Sequence, residues 1–193
     1  MVEVVEPSLW LIRHGETDWS AGGRHTGRTD VALNAAGVAQ AGALRVELRD
    51  VTFARVLTSP LSRARETCRL AGLGDAAEVA PDLREWDYGE EEGATTPGIR
   101  EQRPGWTLWR DGVTGGETVD DVAARADRVI AAVVDTPGDV ALFAHGHVLR
   151  VLAARWLGLA PGAGQWLALD PGSVSVLGHE HEWRVIRRWN GGR

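Results

Sequence analysis

The chain has 193 residues, 44% hydrophobic and 25% charged, with a mean hydropathy of −0.18, the proportions of one globular domain with at most a small cap. A formal net charge of −6 excludes nucleic acid as the main partner, because a phosphate backbone demands a basic face. No run approaches the roughly 20 apolar residues of a membrane span, residues 1–6 place no basic region ahead of an apolar one, and a lone Cys68 excludes an internal disulfide or a thiolate metal cluster, so a cytoplasmic enzyme or binding protein is expected.

In chain order, residues 8–13 (SLWLIR) read as a buried strand stopped by Gly15. A Gly-rich polar stretch runs to about residue 30. Asn34 then caps a helix to about residue 48, with Val38, Ala41, Leu44, Val46 and Leu48 on its apolar side. Residues 54–58 (ARVLT) form a second strand, and Ser59-Pro60 supply an N-cap and first-turn proline for a helix to about residue 70. Residues 78–80 make a short third strand leading to Leu83, Glu85 and Trp86. Periodicity fails over 87–116, which reads as a cap-like excursion on a single domain spanning 1–193. Thr118 opens the longest helix, to about residue 135. A strand at 139–144 (DVALFA), a helix at 147–157 and strands at 166–169, 173–177 and 183–188 complete the chain. The alternation predicts an α/β fold, a three-layer sandwich whose mostly parallel central sheet is flanked by helices.

Four polar positions share one topological situation. Arg13-His14 follows the first strand, Arg63 the second, Glu85 the third and His145 the strand at 139–144. Ligands of open α/β sheets bind beyond the carboxyl ends of the strands, so two arginines, two histidines and a carboxylate gather at one edge. The set suits phosphoryl transfer, in which catalysis is mostly positioning and charge stabilisation. Arg13 and Arg63 would clamp the non-bridging oxygens, and a neutral His14, kept so by the two guanidiniums, would attack phosphorus. A protonated His145 would add a third cationic donor, and Glu85 would give its proton to the departing alcohol. On this scheme neither a metal nor a cofactor is needed. All 21 basic residues are arginine, which removes lysine Schiff-base chemistry and suits two-point phosphate recognition.

At these residues the sequence resembles the histidine phosphatase (phosphoglycerate-mutase-like) superfamily. The run LIRHGETDW at 11–19 is similar to its signature, continued by Gly23-Arg24-His25-Thr26-Gly27, Asp30 and Leu33. Residues 58–67 (TSPLSRARET) resemble its second motif and Ala144-His145-Gly146-His147 its last. The resemblance implies that His14 is the phosphorylated nucleophile, that Arg13, Arg63 and His145 bind phosphate, and that Glu85 donates the proton. It places Thr26 and Gly27 on the substrate side. Ser20 stands where the family often has a phosphate-contacting asparagine. Residues 83–89 (LREWDYG), Glu92-Gly93, 109–112 (WRDG), Gly116-Glu117-Thr118 and 143–150 (FAHGHVLR) resemble a phosphatase branch that includes actinobacterial acid phosphatases and the fungal sedoheptulose-bisphosphatase. The segment after Glu85 is short and adds only Arg100, Arg103 and Arg110, where mutases carry a longer, more basic insertion.

The expected activity is therefore hydrolysis of phosphomonoesters of small metabolites, sugar phosphates foremost, by a cytoplasmic enzyme; the partner is the small phosphorylated molecule, and a homodimer is compatible with the sequence. A phosphoglycerate mutase and a silent phospho-ligand-binding module are the alternatives. His25, Gly146, His147 and Arg150 face either the substrate or the surface. Glu90, Glu91 and Glu92 compete with Glu85 as the acid. Arg65 reads as a solvated partner of Glu66, and Cys68 as a small buried hydrophobe. Trp10, Trp156, Trp166 and Trp183 read as core, while Trp86, Trp106 and Trp109 belong to the excursion as core or pocket wall. His179 and His181 are too sparse for a metal site.

Overall fold

Residues 7–192 are described by a computed structural model; residues 1–6, read above for leader character, and residue 193 lie outside the described residues. The elements are β1 (Leu9–Arg13), α1 (Asp18–Ala21), α2 (Ala35–Leu48), β2 (Phe53–Thr58), α3 (Ser62–Leu70), β3 (Ala77–Val79), α4 (Thr96–Gln102), α5 (Leu108–Asp111), α6 (Val119–Val133), β4 (Asp139–Ala144), α7 (Gly146–Trp156), β5 (Val174–Glu180) and β6 (Trp183–Gly191). They form a mixed α/β fold around a six-stranded sheet in the order β3-β2-β4-β1-β5-β6. The first four of these are parallel, and β5 and β6 are antiparallel additions.

Period-two alternation divides the core between the two faces. Leu9 and Leu11 of β1, with Val140 and Leu142 of β4, face α6 and α7, against Val122, Ala126, Val129, Leu149 and Trp156. Ile12, Ala141 and Phe143 face the other way, into a cluster with Leu44 and Leu48 of α2 and Cys68 of α3. Each fully buried Leu or Phe contributes on the order of 1.5–3 kcal/mol, so the central strands are the most firmly held part of the chain and a rigid base for whatever follows them.

Local capping is as the sequence dictates in two helices. Asn34 accepts from Gly37 N at 2.9 Å, and Thr118 forms a reciprocal box with Asp121 at the head of α6. Four expectations are corrected: the apolar side of α2, the start of α3, the strand at 166 and the core placement of Trp10, Trp166 and Trp183. In α2 the buried stripe is Gly37, Ala41, Leu44 and Leu48; Val38 and Val46 fall off that stripe and are 44% and 64% exposed. The α3 helix begins at Ser62 after Leu61, because Ser59, just past β2, still bonds β4 through its amide on Phe143 O. Residues 161–166 coil into a 3-10 turn where a strand was expected to start, which leaves Trp166 exposed. Trp183 is also exposed, at the head of β6 opposite Glu180. Trp156 is core, while Trp10 is half-buried, edge-on to Phe53, with its indole N–H on Asp139.

Candidate active site

The parallel strands stop at a common rim, and the register shows why their next residues meet. Arg13 pairs with Ala144, and Thr58 with Phe143. One residue further on, His14 N donates to Ala144 O (3.0 Å) and Ser59 N to Phe143 O (2.9 Å). His14, His145 and Ser59 therefore emerge side by side, with the two imidazole centroids 5.1 Å apart. The loop that carries His14 is pressed onto α2 through two glycines. A Cβ on Gly15 would lie 2.3 Å from Gly37 O, and one on Gly37 would lie 2.0 Å from Glu16 O, so only glycine permits the approach.

Hydrogen bonding settles the tautomers. His14 Nδ1 lies 2.7 Å from Gly15 O. A carbonyl only accepts, so Nδ1 carries the hydrogen and Nε2 presents its lone pair. Burial first, then the charges of Arg13 and Arg63, hold His14 well below the ordinary histidine pKa. His145 Nδ1 accepts from Arg63 Nε at 3.1 Å, and Nε2–H donates to Ser59 Oγ at 2.7 Å. Burial and then Arg63 hold this ring, too, well below the ordinary value. The expectation of a cationic His145 is thus corrected. The ring is a neutral donor, because an arginine N–H can only donate and so requires an unprotonated Nδ1.

Arg63 is fully buried. Besides His145 it donates from Nη1 to Thr29 O (2.9 Å) and from Nη2 to Thr26 O (3.0 Å) and Gly27 O (3.1 Å). Four of its five N–H groups are committed, which corrects the expected two-point clamp: one donor remains for an anion. Arg13 differs. Its Nη1 donates to Leu169 O, its guanidinium lies 3.4 Å from where a Gly146 Cβ would be, and its buried Nε has no partner. A buried N–H without an acceptor is costly, and an anion at the rim would satisfy it.

Glu85 reaches the head of α7 from across the rim. Its Oε1 accepts from Trp86 N and Val148 N (both 2.9 Å), and its Oε2 accepts from His147 N at 3.0 Å. His145, the N-cap of α7, makes no side-chain cap bond, so Glu85 satisfies two otherwise orphaned helix amides. The competing acids are used elsewhere. Glu91 is buried against Arg103 and Thr114 N. Glu92 takes Gly27 N on both oxygens (2.9 and 3.0 Å) and Thr29 N at 3.0 Å.

Residues 26–29 are therefore gripped from two sides, amides by Glu92 and carbonyls by Arg63. Thr26 turns its hydroxyl to Arg24 O. His25 and His147 join one aromatic cluster. His25 stacks 4.8 Å from Tyr88, His147 lies 5.4 Å from Trp109, and His147 Nδ1 is 2.6 Å from the Tyr88 hydroxyl. Trp86 and Trp106 are buried. Arg150 stacks on Trp109 at 4.8 Å and donates to Gly164 O, so it braces this wall. Ser20 is not aimed at the set by its bonds. Its hydroxyl accepts from Thr17 N and donates to Thr17 O in the capping box of α1, which replaces the expected phosphate contact with a local one. Glu66 pairs with Arg69 rather than Arg65. A cleft of about 460 Å³ runs over Gly27, Leu61 and Glu85 to Arg28, Arg84, Asp87 and Glu117, and Arg28 is paired with Asp87 across it. Among the described residues no His, Cys, Asp and Glu side chains cluster with metal-binding geometry, and no helix is long and apolar enough to cross a membrane.

Sequence reasoning missed Ser59, Tyr88 and Glu92 as partners of this site. Their hydrogen bonds span 86, 59 and 65 residues, and no local pattern reports such contacts. Chemically, the rim offers an unprotonated imidazole nitrogen on His14, an unpaired guanidinium N–H on Arg13 and the Glu85 carboxyl group at the head of α7. Such a constellation suits attack on an anionic electrophile.

Comparison with known proteins agrees with this reading. Residues 9–191 match the family model described as histidine phosphatase superfamily (branch 1). The chain is 43% identical over 183 residues to an acid phosphatase of Mycobacterium tuberculosis, covering 92% of this chain and 89% of the relative. It is 36% identical over 188 residues to the sedoheptulose 1,7-bisphosphatase of Saccharomyces cerevisiae, covering 79% and 68%. The solved structure of an open reading frame product from Mycobacterium tuberculosis superposes with a TM-score of 0.90 at 39% identity, covering 95% of this chain and 97% of that one.

Proposed function

The chain belongs to the histidine phosphatase superfamily, and on that footing we propose that it hydrolyses phosphomonoesters of small metabolites of the sugar-phosphate class through a phosphohistidine. The observation that carries the reading is the free Nε2 lone pair of His14, fixed by the Nδ1–H bond to Gly15 O, in a ring that feels the charge of Arg13, whose buried Nε has no partner. In the first half-reaction the Nε2–P bond forms and the P–O bond to the alcohol breaks. Arg13 and the remaining N–H of Arg63 hold the non-bridging oxygens, neutral His145 joins them by turning its one N–H from Ser59 Oγ to the phosphate, and Glu85 protonates the leaving oxygen. In the second, water attacks phosphorus, passes a proton to Glu85 and breaks the P–N bond. The loop 25–27 and the Gly146-His147 turn form the substrate side.

Hydrolysis is favoured over mutase chemistry by the fate of the excursion's arginines. Arg100 Nε donates to Trp106 O, Arg103 pairs with Glu91 and Arg110 with Asp111, so these cations brace the excursion instead of offering themselves to a substrate carboxylate. The test is His14→Ala, which should abolish turnover of p-nitrophenyl phosphate while the protein stays folded. The wild-type phosphoenzyme should be stable in base and labile in acid. Wild-type-like turnover by the variant, or the reverse lability, overturns the assignment.

A further inference from the structure

Glu85 sits in a stretch with no regular secondary structure, between 3-10 turns at Pro81–Leu83 and Gly89–Glu91. Its backbone is held from outside by one ion pair. Arg125 of α6 is buried, 4% exposed, and donates from Nη1 to Asp82 O (2.6 Å) and Arg84 O (3.0 Å). Its Nε and Nη2 make a two-point bond to Glu117 (2.7 and 2.8 Å). Glu117 in turn accepts Asp87 N on Oε2 (3.0 Å) and the Trp86 indole N–H on its carbonyl (2.7 Å), and its own N–H donates to Asp87 O (2.9 Å). The pair therefore grips residues on both sides of Glu85. Arg128, one turn on, merely pairs with the Asp82 side chain at the surface.

An ion pair with its arginine buried and its carboxylate half-buried is a weak stabiliser, whereas a planar fork that fixes two carbonyls and a carboxylate at once suits registration. We propose that the Arg125–Glu117 pair is a positioning device that sets the Glu85 carboxyl where its proton reaches the leaving oxygen. This rests on Glu85 being the proton donor of the phosphatase reaction proposed above. Arg125 and Glu117 act through Glu85 and touch no reacting atom.

Leaving-group dependence tests it, because p-nitrophenolate departs without a proton and an alkoxide does not. On the full chain, Arg125→Lys and Arg125→Met should lose about 10²-fold in kcat on an alkyl phosphate such as glycerol phosphate, with KM little moved. The loss on p-nitrophenyl phosphate should be far smaller. Glu85→Gln should show the same selectivity, with a loss of about 10²–10⁴-fold on the alkyl ester, and Arg128→Ala should change neither substrate. If the Met variant does not fold, the Lys variant, which keeps the charge but not the fork, carries the test. Equal losses on both substrates, or none on the alkyl ester, overturn the positioning role. If Glu85→Gln is selective and the Arg125 variants are not, this inference falls and the reaction stands; if Glu85→Gln is itself unselective, the proton-donor assignment falls, and this inference with it.

Discussion

Three imidazoles, those of buried His14 and His145 and of half-buried His147, are held well below the ordinary histidine pKa. Burial is the first cause in each, with nearby arginine charge second. The hydrogen bond at His145 agrees, since its Nδ1 accepts from Arg63; at His147 the neighbouring Tyr88 hydroxyl can donate or accept, so burial carries the case there. In the unfolded chain each ring titrates near 6.5. Below that pH the unfolded state binds protons that the folded state refuses, so stability falls as pH falls. Taking pH 7.5 to pH 5.5 costs about 1.4 kcal/mol per ring and about 4 kcal/mol for the three. Carboxylates such as Glu66, Glu78 and Asp82, held low by arginine partners, also lose stabilisation in acid. They do so below the unfolded carboxylate range, so this window isolates the histidines. Urea unfolding at the two pH values in phosphate-free buffer, read as midpoint times a constant slope, measures the difference. His147→Gln should reduce it by about 1.4 kcal/mol; His25, also held low by burial, adds to the total difference but not to this one. A stability that is flat across the window would show that all of these rings accept a proton in the folded state, and would refute the neutral-imidazole argument.

Two further outcomes follow from the packing around the site. Gly27→Ala puts a Cβ 2.5 Å from Trp86 O and 2.7 Å from Glu92 Oε2, so it should cost about 1–3 kcal/mol and lower kcat/KM by displacing the loop that Arg63 holds; thermal unfolding and steady-state kinetics check both. Cys68 is buried, with its thiol pushed up to about 12 by desolvation, so at pH 8 it should resist an aromatic disulfide reagent in the native protein and react fully once the chain is unfolded.

Much of this molecule is legible in one dimension. The strands at 8–13 and 139–144, the Asn34 and Thr118 caps and the two-sided burial of the central strands follow from short-range rules of alternation and capping, which need no knowledge of neighbours. That Arg13, His14, Glu85 and His145 gather at one rim is also an expectation the sequence supports, because each follows the carboxyl end of a strand; the strand order that makes them neighbours came from the structure. The tertiary structure decided the state and duty of each group. Arg63 spends its donors on residues 26–29 and on His145, and His145 is neutral because of that bond. Ser20 caps its own helix, and Trp166 and Trp183 face outward. Protonation, donor allocation and exposure depend on what lies within a few ångströms in space, and for Arg63 and His145 those partners come from 34 to 86 positions away along the chain, a distance over which residue pattern carries no information.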